Sequence, residues 1–291
     1  DPQQKNELLR AQFHNIHASL DRRLEPSTKP ATVSAANAVL LLYWAYHNNL
    51  SGANNPISST EDATTYLSKA ADVFLANSMR EEEKRCRFYL GTILWLRGDI
   101  PGAQVYLKDI ETSPETDEKM RCDAKRSAAH IEYKQGSIVK SVERYAAVIR
   151  DAERVGYELC ILKCHVGLID AYRKLGEFEL GSGAFEAIAD KIGSYGGGLR
   201  GNALRGYAYL LAEKGELDVA KAQYQSALKE MMASSFGQAH CHRGLADVSV
   251  KLGLFAEAEA AFDTSLKLYD EAQKNPSLGV GLVYLGRARL A

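Results

Sequence analysis

The chain has 291 residues, of which 46% are hydrophobic and 25% are charged, and its formal net charge is −1 at pH 7. This balance argues against wholesale binding of nucleic acid or an anionic membrane surface, and no apolar run reaches the roughly 18 residues that a membrane-spanning helix needs. The five cysteines, an odd number, lie within helical patterns. They favour reduced thiols and a location in the cytoplasm, with the nucleus as the alternative.

Residues 1–80 contain helical patterns that are less regular than those further along the chain. The first is the amphipathic stretch QQKNELLRAQFHNIHASLDRRL, and the second is the strongly apolar stretch ATVSAANAVLLLYWAYHNN. A third stretch, STEDATTYLSKAADVFLAN, follows a loop. We expect a capping helix and then a divergent first helical pair with a long turn.

From residue 81 onward, five glycines interrupt helical patterns at nearly constant intervals of 38, 40, 39 and 38 residues. They are Gly98, Gly136, Gly176, Gly215 and Gly253. Glycine readily adopts the left-handed conformation that ends a helix, and self-similarity with such a period is typical of stacked repeats. Each glycine is therefore predicted to be the turn between a helix A before it and an antiparallel helix B after it.

A capping signal supports this segmentation. In SPETDE, residues 113–118, Ser113 is a suitable N-cap and Pro114 suits the first helical position. The acidic residues that follow suit a first turn. A helix A is therefore predicted to begin at Pro114.

Helix B repeats a small residue followed one turn later by an aromatic or large apolar one. Tyr224 follows Ala220 in this way, and Phe262 follows Ala258. We expect the ring to fill the space between neighbouring repeats, because one helical pair cannot bury its apolar faces alone. A second glycine recurs on helix A, at Gly167, Gly206, Gly244 and Gly281.

A small residue, a turn glycine and then alanine, an aromatic residue and alanine together resemble the tetratricopeptide repeat. The match covers residues 84–290. The period is longer than the family's usual value of about 34 residues and is similar to that of MalT-like sensors and LGN- or rapsyn-like scaffolds. The resemblance implies an all-α, right-handed superhelix of about six helix–turn–helix repeats. Residues 1–80 would form the cap and first pair, and residues 81–291 the repeats, as one continuous solenoid.

Two motifs could indicate a cofactor or metal site, but both are better explained as parts of the helical repeats. GGGLRG at 196–201 fits a dinucleotide-binding pattern, but it lies between two helices and follows no strand. Cys160, Cys164 and His165, with the run 240–242, would supply zinc ligands if they met, but they occupy equivalent positions two repeats apart, which favours packing. We therefore predict no catalytic residue, no metal and no cofactor.

In the tetratricopeptide family, helix A lines the concave face. Basic side chains outnumber acidic ones at the corresponding positions, and this excess favours an acidic or carboxylate-bearing partner. The candidate partner-binding residues are Arg126, His130, Lys163, Arg173, Asn202, Arg205, Tyr209, Arg243, Asp247, Lys251 and Tyr284.

The resemblance implies a non-catalytic scaffold or adaptor that binds another protein or a peptide in a concave groove. The alternative is a ligand- or peptide-sensing domain of a larger signal-transduction ATPase or transcription regulator. No enzymatic role and no nucleic-acid partner is indicated.

Overall fold

The computed structural model describes residues 32–40, 61–195, 197–232 and 234–271, together with 280, 283, 284, 286 and 287. Within these ranges every regular element is helical and no strand occurs, so the all-α prediction is confirmed there. The predicted capping helix lies outside the described residues.

From residue 61 to residue 271 the described helices follow one another with short connections. Residues 32–40 are helical, and the following helices are α1 (Glu61–Ala76), α2 (Arg80–Leu96), α3 (Ile100–Thr112), α4 (Glu118–Lys134), α5 (Ile138–Arg154), α6 (Glu158–Leu175), α7 (Phe178–Ala189), a 3-10 helix (Ile192–Tyr195), α8 (Gly197–Lys214), α9 (Leu217–Glu230), α10 (Ser235–Lys251) and α11 (Phe255–Glu271). None of the described helices is long and apolar enough to cross a membrane.

The five turn glycines lie between helices, as predicted. Their φ angles are 86° at Gly98, 85° at Gly136, 76° at Gly176, 98° at Gly215 and 74° at Gly253. Gly156, between α5 and α6, also has a positive φ of 63°. The sequence pattern describes the turns between helix A and helix B of one repeat. It did not identify the turn at Gly156, because this turn connects one repeat to the next.

The predicted start of a helix at Pro114 is wrong. The helix that follows, α4, begins at Glu118, and its N-cap is Asp117, whose side chain accepts a hydrogen bond from the Met120 amide at 3.0 Å. Residues 113–116 form a turn instead. The Arg121 guanidinium holds this turn by donating to the carbonyls at both of its ends, at 2.9 and 3.0 Å.

The described residues form two compact units. Unit 1 contains residues 32–40, 61–135 and 154–156, and unit 2 contains residues 136–153 and the described residues from 157 onward. Within unit 1, α2 packs against α1 and α3. Within unit 2 the A and B helices pack as the pairs α6–α7, α8–α9 and α10–α11.

Rings on the B helices of unit 2 lie against glycines on following A helices. The ring of Tyr145 lies at Gly167, and the ring of Tyr224 lies at Gly244. A Cβ atom on either glycine would overlap the ring. Tyr224 is completely buried, so the prediction that this ring fills the space between repeats is confirmed.

The glycine register of the last repeat differs from the prediction. The pattern places Gly281 in the position equivalent to Gly244, but the ring of Phe262 lies at Gly286. Phe262 and Gly286 are 24 positions apart, whereas Tyr224 and Gly244 are 20 positions apart, so the next helix A lies further along the sequence than the repeat predicts. Val283, in the same segment, is completely buried in the cluster that contains Phe262.

Candidate functional site

The residues predicted to contact a partner fall on both units. Arg126 and His130 lie on α4 in unit 1. The members in unit 2 are Lys163 and Arg173 on α6; Asn202, Arg205 and Tyr209 on α8; and Arg243, Asp247 and Lys251 on α10. Tyr284, in the last described segment, is 60% exposed.

Tyr284 does not share the register that placed it in the groove. Asp170 and Asp247 each lie three residues after a glycine that receives a ring, Gly167 and Gly244. Tyr284 lies two residues before the corresponding Gly286. Its grouping with the other candidates therefore came from the incorrect register.

In unit 1, aromatic rings surround His130. The ring centroids of Trp95 and Tyr133 are 5.0 and 6.0 Å from that of His130. Burial lowers the pKa of His130 to about 3, and the positive charge of Arg126 adds to the effect. Arg126 itself lies 3.5 Å from the carboxylate of Asp123. At neutral pH this site therefore offers a neutral imidazole beside an ion-paired arginine.

In unit 2, polar and aromatic side chains follow one face of each A helix, because residues three and four apart share a face. These stripes are Asp170 and Arg173 on α6; Asn202, Arg205, Tyr209 and Glu213 on α8; and Phe236, His240, Arg243 and Asp247 on α10. We call them together the polar face of unit 2. The contacts described next join the three stripes.

Tyr209 is the centre of the polar face. Its hydroxyl donates to the carbonyl oxygen of His240 at 3.0 Å and accepts from the Arg243 guanidinium. The guanidinium carbons of Arg243 and Arg173 lie 5.2 and 5.8 Å from the centre of the Tyr209 ring, within the range of cation–π attraction. The ring also meets Tyr224 edge-on at 5.2 Å. Tyr209 therefore holds α6, α8 and α10 in one arrangement.

Two of the arginines on this face have carboxylate partners within it. Arg173 forms an ion pair with Glu213 on the neighbouring helix and lies 3.7 Å from Asp170. Arg243 lies 3.3 Å from Asp247. These two guanidiniums are already engaged in the folded chain.

Arg205 differs from both of them. Among the described residues it makes no hydrogen bond and no ion pair, and its Nε atom is buried and without a partner. Its positive charge nevertheless acts on the neighbouring phenols of Tyr209 and Tyr269. The Nε atoms of Arg173 and Arg243 are also buried without a hydrogen-bond partner, so what sets Arg205 apart is that the rest of its guanidinium has no ion pair or hydrogen bond among the described residues.

The last basic candidate, Lys251, has a structural contact. Its ammonium group donates to the carbonyl oxygen of Ala212 at 2.8 Å. Ala212 lies in the last turn of α8, where carbonyl groups lack partners within the helix and attract cations. Lys251 therefore joins α10 to the end of α8.

One wall of the polar face was missed by the sequence analysis. The Tyr269 hydroxyl lies 3.0 Å from His240 Nδ1, and the ring of Phe236 lies 4.5 Å from the His240 ring and 5.6 Å from the Tyr269 ring. The spacing to the turn glycine places His240 at a groove position of helix A. Tyr269 is on helix B, so a rule based on helix A could not have found it.

Burial sets the protonation of the phenols in this region. It raises the pKa of Tyr209, an effect that the charges of Arg243 and Arg205 partly oppose. It raises the pKa of Tyr269 to about 12, again against the charge of Arg243. Both phenols are therefore neutral hydrogen-bonding groups at physiological pH.

In the described part of the chain, the predicted cysteine and histidine clusters do not come together as one set of ligands. Cys160 and Cys164 are both completely buried. Cys241 packs with its sulfur 3.8 Å from that of Met231, while the imidazole of His240 is directed to Tyr269. Among the described residues no group of three metal-ligating side chains converges.

Comparisons with known proteins show similarity at the level of structure. No family model matches the sequence, and no curated protein matches it significantly. A Rap protein complexed with Competence and Sporulation Factor has a TM-score of 0.63 at 14% identity, covering 91% of this chain and 73% of that one. NprR in complex with its cognate peptide NprX has a TM-score of 0.58 at 14% identity, covering 92% and 77%.

A tetratricopeptide repeat protein from Parabacteroides merdae has a TM-score of 0.53 at 14% identity, covering 88% of this chain and 85% of that one. At such low identities these similarities show the fold alone. The chain has a tetratricopeptide-like helical-repeat fold, as the sequence pattern predicts.

Proposed function

We propose that the chain is a non-catalytic peptide- or protein-binding module, and that the polar face of unit 2 holds a segment of the partner. The observation that carries the proposal is the unpartnered guanidinium of Arg205 within a face that is otherwise fixed by internal contacts. The similarity in fold to NprR, which was solved with a cognate peptide, supports the choice of ligand class.

The polar face is suited to binding because its side chains are already ordered. Tyr209 is held by two hydrogen bonds and Arg173 by two carboxylates. Side chains that are fixed before binding lose less conformational entropy when a ligand arrives. An extended segment would therefore meet a preformed surface of charged, aromatic and hydrogen-bonding groups.

In this proposal residues 1–80 provide the cap and first helical pair, and residues 81–291 the repeats, of one continuous solenoid in a cytoplasmic scaffold or adaptor. The second candidate is a ligand- or peptide-sensing domain of a larger regulator. It is favoured by the Rap protein and NprR structures, each of which was solved with a defined ligand. A sensing domain and a scaffold would use the polar face in the same way but would differ in the partner.

A selection of random short peptides tests the proposal, followed by measurement of affinity by fluorescence polarisation. Asn202→Trp places a bulky ring on the polar face, three residues before Arg205, and we expect it to abolish binding of the selected peptides. Gln225→Trp is the matched control, because Gln225 is an exposed residue on helix B of the same pair. Failure to select any peptide, or full binding by Asn202→Trp, would contradict the proposal.

A further inference from the structure

The exposed apolar side chains of unit 2 are concentrated where helix A turns into helix B. Of the seven large apolar side chains that are exposed among the described residues between 158 and 271, five lie within four residues of Gly176, Gly215 or Gly253. These five are Leu175, Leu180, Val219, Leu254 and Phe255, and we call them the turn edge of unit 2. Exposed apolar side chains that cluster, rather than lying singly, are typical of an interaction surface.

Ion pairs between repeats make the turn edge continuous. Lys214, at the end of α8, lies 3.0 Å from Glu179 at the start of α7, and Leu180 is the residue after Glu179. Lys221, near the start of α9, lies 2.5 Å from Glu257 near the start of α11. The three turns of these helical pairs therefore follow one another along one side of the stack.

The A and B helices of unit 2 carry charges of opposite sign. Up to residue 270, the B helices α7, α9 and α11 contain eight acidic and three basic side chains. The A helices α6, α8 and α10 contain four acidic and eight basic ones. Acids in the first turn stabilise a helix, but Glu186 and Glu259 lie beyond the first turn, are exposed and have no ion pair among the described residues. The B helices are therefore more acidic than helix stability requires.

Acidic side chains also surround the turn edge itself. They are Glu177, Glu179, Glu216, Asp218 and Glu257. Lys214 pairs with two of them, and Lys221 pairs with a third. Glu177 and Asp218 are exposed and have no ion pair among the described residues, and the nearby Lys174 can offset only one of these two charges. The turn edge is therefore an apolar surface with an excess of negative charge.

The charge of the turn edge decides which class of partner suits it. An acidic surface repels nucleic acid and anionic membranes. A second copy of the chain, docked through the same edge, would place these acids against their equivalents, because a two-fold interface brings a patch against itself. Like charges across an interface oppose binding. A protein segment with lysine or arginine complements the acids, and its apolar side chains would cover Leu180, Val219 and Phe255.

We propose that the turn edge of unit 2 is a second docking surface, which holds a segment of a protein partner in which lysine or arginine lies beside large apolar side chains. This inference goes beyond the proposed function, because the turn edge shares no residue with the polar face. The chain therefore offers two surfaces of opposite character, one on its basic A helices and one at the start of its acidic B helices.

A selection of random peptides displayed on phage tests the proposal, with the Asn202→Trp variant as the bait because its polar face is blocked. We expect the selected peptides to combine lysine or arginine with leucine, isoleucine, phenylalanine or tryptophan. Fluorescence polarisation then measures their affinity for the bait, and for further variants of it, at low and at high salt.

The apolar part of the turn edge is tested by Val219→Asn and Phe255→Asn made together. These side chains are 46% and 59% exposed, so the double variant should fold, and we expect it to weaken binding by about tenfold or more. Met232→Asn is the matched control, because Met232 is 78% exposed and lies between α9 and α10, at the other end of the repeats. We expect this control to bind the peptides like the bait.

The acidic part is tested by Asp218→Lys, which should weaken binding by about threefold or more. It should also make binding less sensitive to salt, because fewer attractive charges remain to be screened. Asp190→Lys is the matched control, since Asp190 is an exposed aspartate that follows the last residue of α7 at the other end of the repeats. We expect it to change neither the affinity nor its dependence on salt.

Recovery of no peptide, selected peptides without basic residues, or equal effects of the variants and their controls would overturn the inference. Sedimentation of the wild-type chain tests a second copy as the occupant, and a dimer that the double asparagine variant abolishes would also overturn it. Because the polar face of the bait is blocked, these failures leave the proposed function intact. Circular dichroism of each variant confirms that the helices are retained.

Discussion

At the scale of single residues, Arg205 and Arg243 occupy equivalent positions of successive A helices yet have different surroundings. Arg243 contacts Tyr209 and Asp247, whereas Arg205 has no partner among the described residues. A buried polar group without a partner reduces the stability of the fold. A residue that is costly in the free protein and available to a ligand is typical of a binding site.

A matched pair of substitutions tests this difference. Methionine has a similar length and no charge, so Arg205→Met should raise the free energy of unfolding by about 1 kcal/mol, because it removes an unsatisfied group. Arg243→Met should lower it by about 1–3 kcal/mol, because it breaks hydrogen bonds to Tyr209 and Asp247. Urea denaturation measures both changes. Equal losses of stability would show that Arg205 has a compensating contact.

His130 provides a prediction on the pH dependence of stability. Its pKa is lowered to about 3 in the folded chain by burial, whereas an unfolded chain protonates histidine near pH 6.5. Below that pH the unfolded chain binds a proton that the folded chain does not, so stability should fall as the pH falls towards 3. The contribution approaches about 1.4 kcal/mol per pH unit. Denaturation between about pH 7 and about pH 4 should show a shallower loss for His130→Gln than for wild type; identical slopes would contradict the account.

At the scale of helices, contacts between rings and glycines hold successive repeats together. Gly244 lies under the ring of Tyr224, whereas Gly183 on α7 has no atom within 4 Å of the position that a Cβ would take. Gly244→Ala should therefore lower the free energy of unfolding by about 1–3 kcal/mol through overpacking. Gly183→Ala should raise it by about 0.5–1 kcal/mol, because alanine favours a helix interior. Thermal melts of the two variants should shift in opposite directions; shifts of the same sign would contradict the packing described.

The sequence predicted the repeating parts of these elements but not their ends. The glycine period identified the turns because the left-handed conformation at Gly215 and its equivalents strongly favours glycine. The start of α4 was misplaced because Ser113 and Asp117 are both suitable caps, and the choice depends on Arg121 holding the turn between them. That contact joins residues five and eight positions apart, and the capping pattern of residues 113–118 does not include Arg121.

At the scale of the whole molecule, the helical-repeat fold follows from periodicity, while the candidate site depends on contacts between repeats. The helix A rule identified Arg205, Tyr209 and Arg243, but only the three-dimensional structure shows which of them is paired. Tyr269 was missed because it reaches the polar face from helix B. The last register was misplaced because the number of residues between a ring on helix B and the glycine that it meets is not constant along the repeats.

The central claim is that the polar face of unit 2 holds the partner segment, and site-specific photo-crosslinking tests it most directly. A photoreactive phenylalanine analogue replaces Asn202 on the polar face in one variant and Gln225 on helix B in another, and each is irradiated with a selected peptide. We predict that mass spectrometry will find the peptide attached at position 202 and not at position 225. Attachment at 225 alone, or equal attachment at both, would contradict the claim.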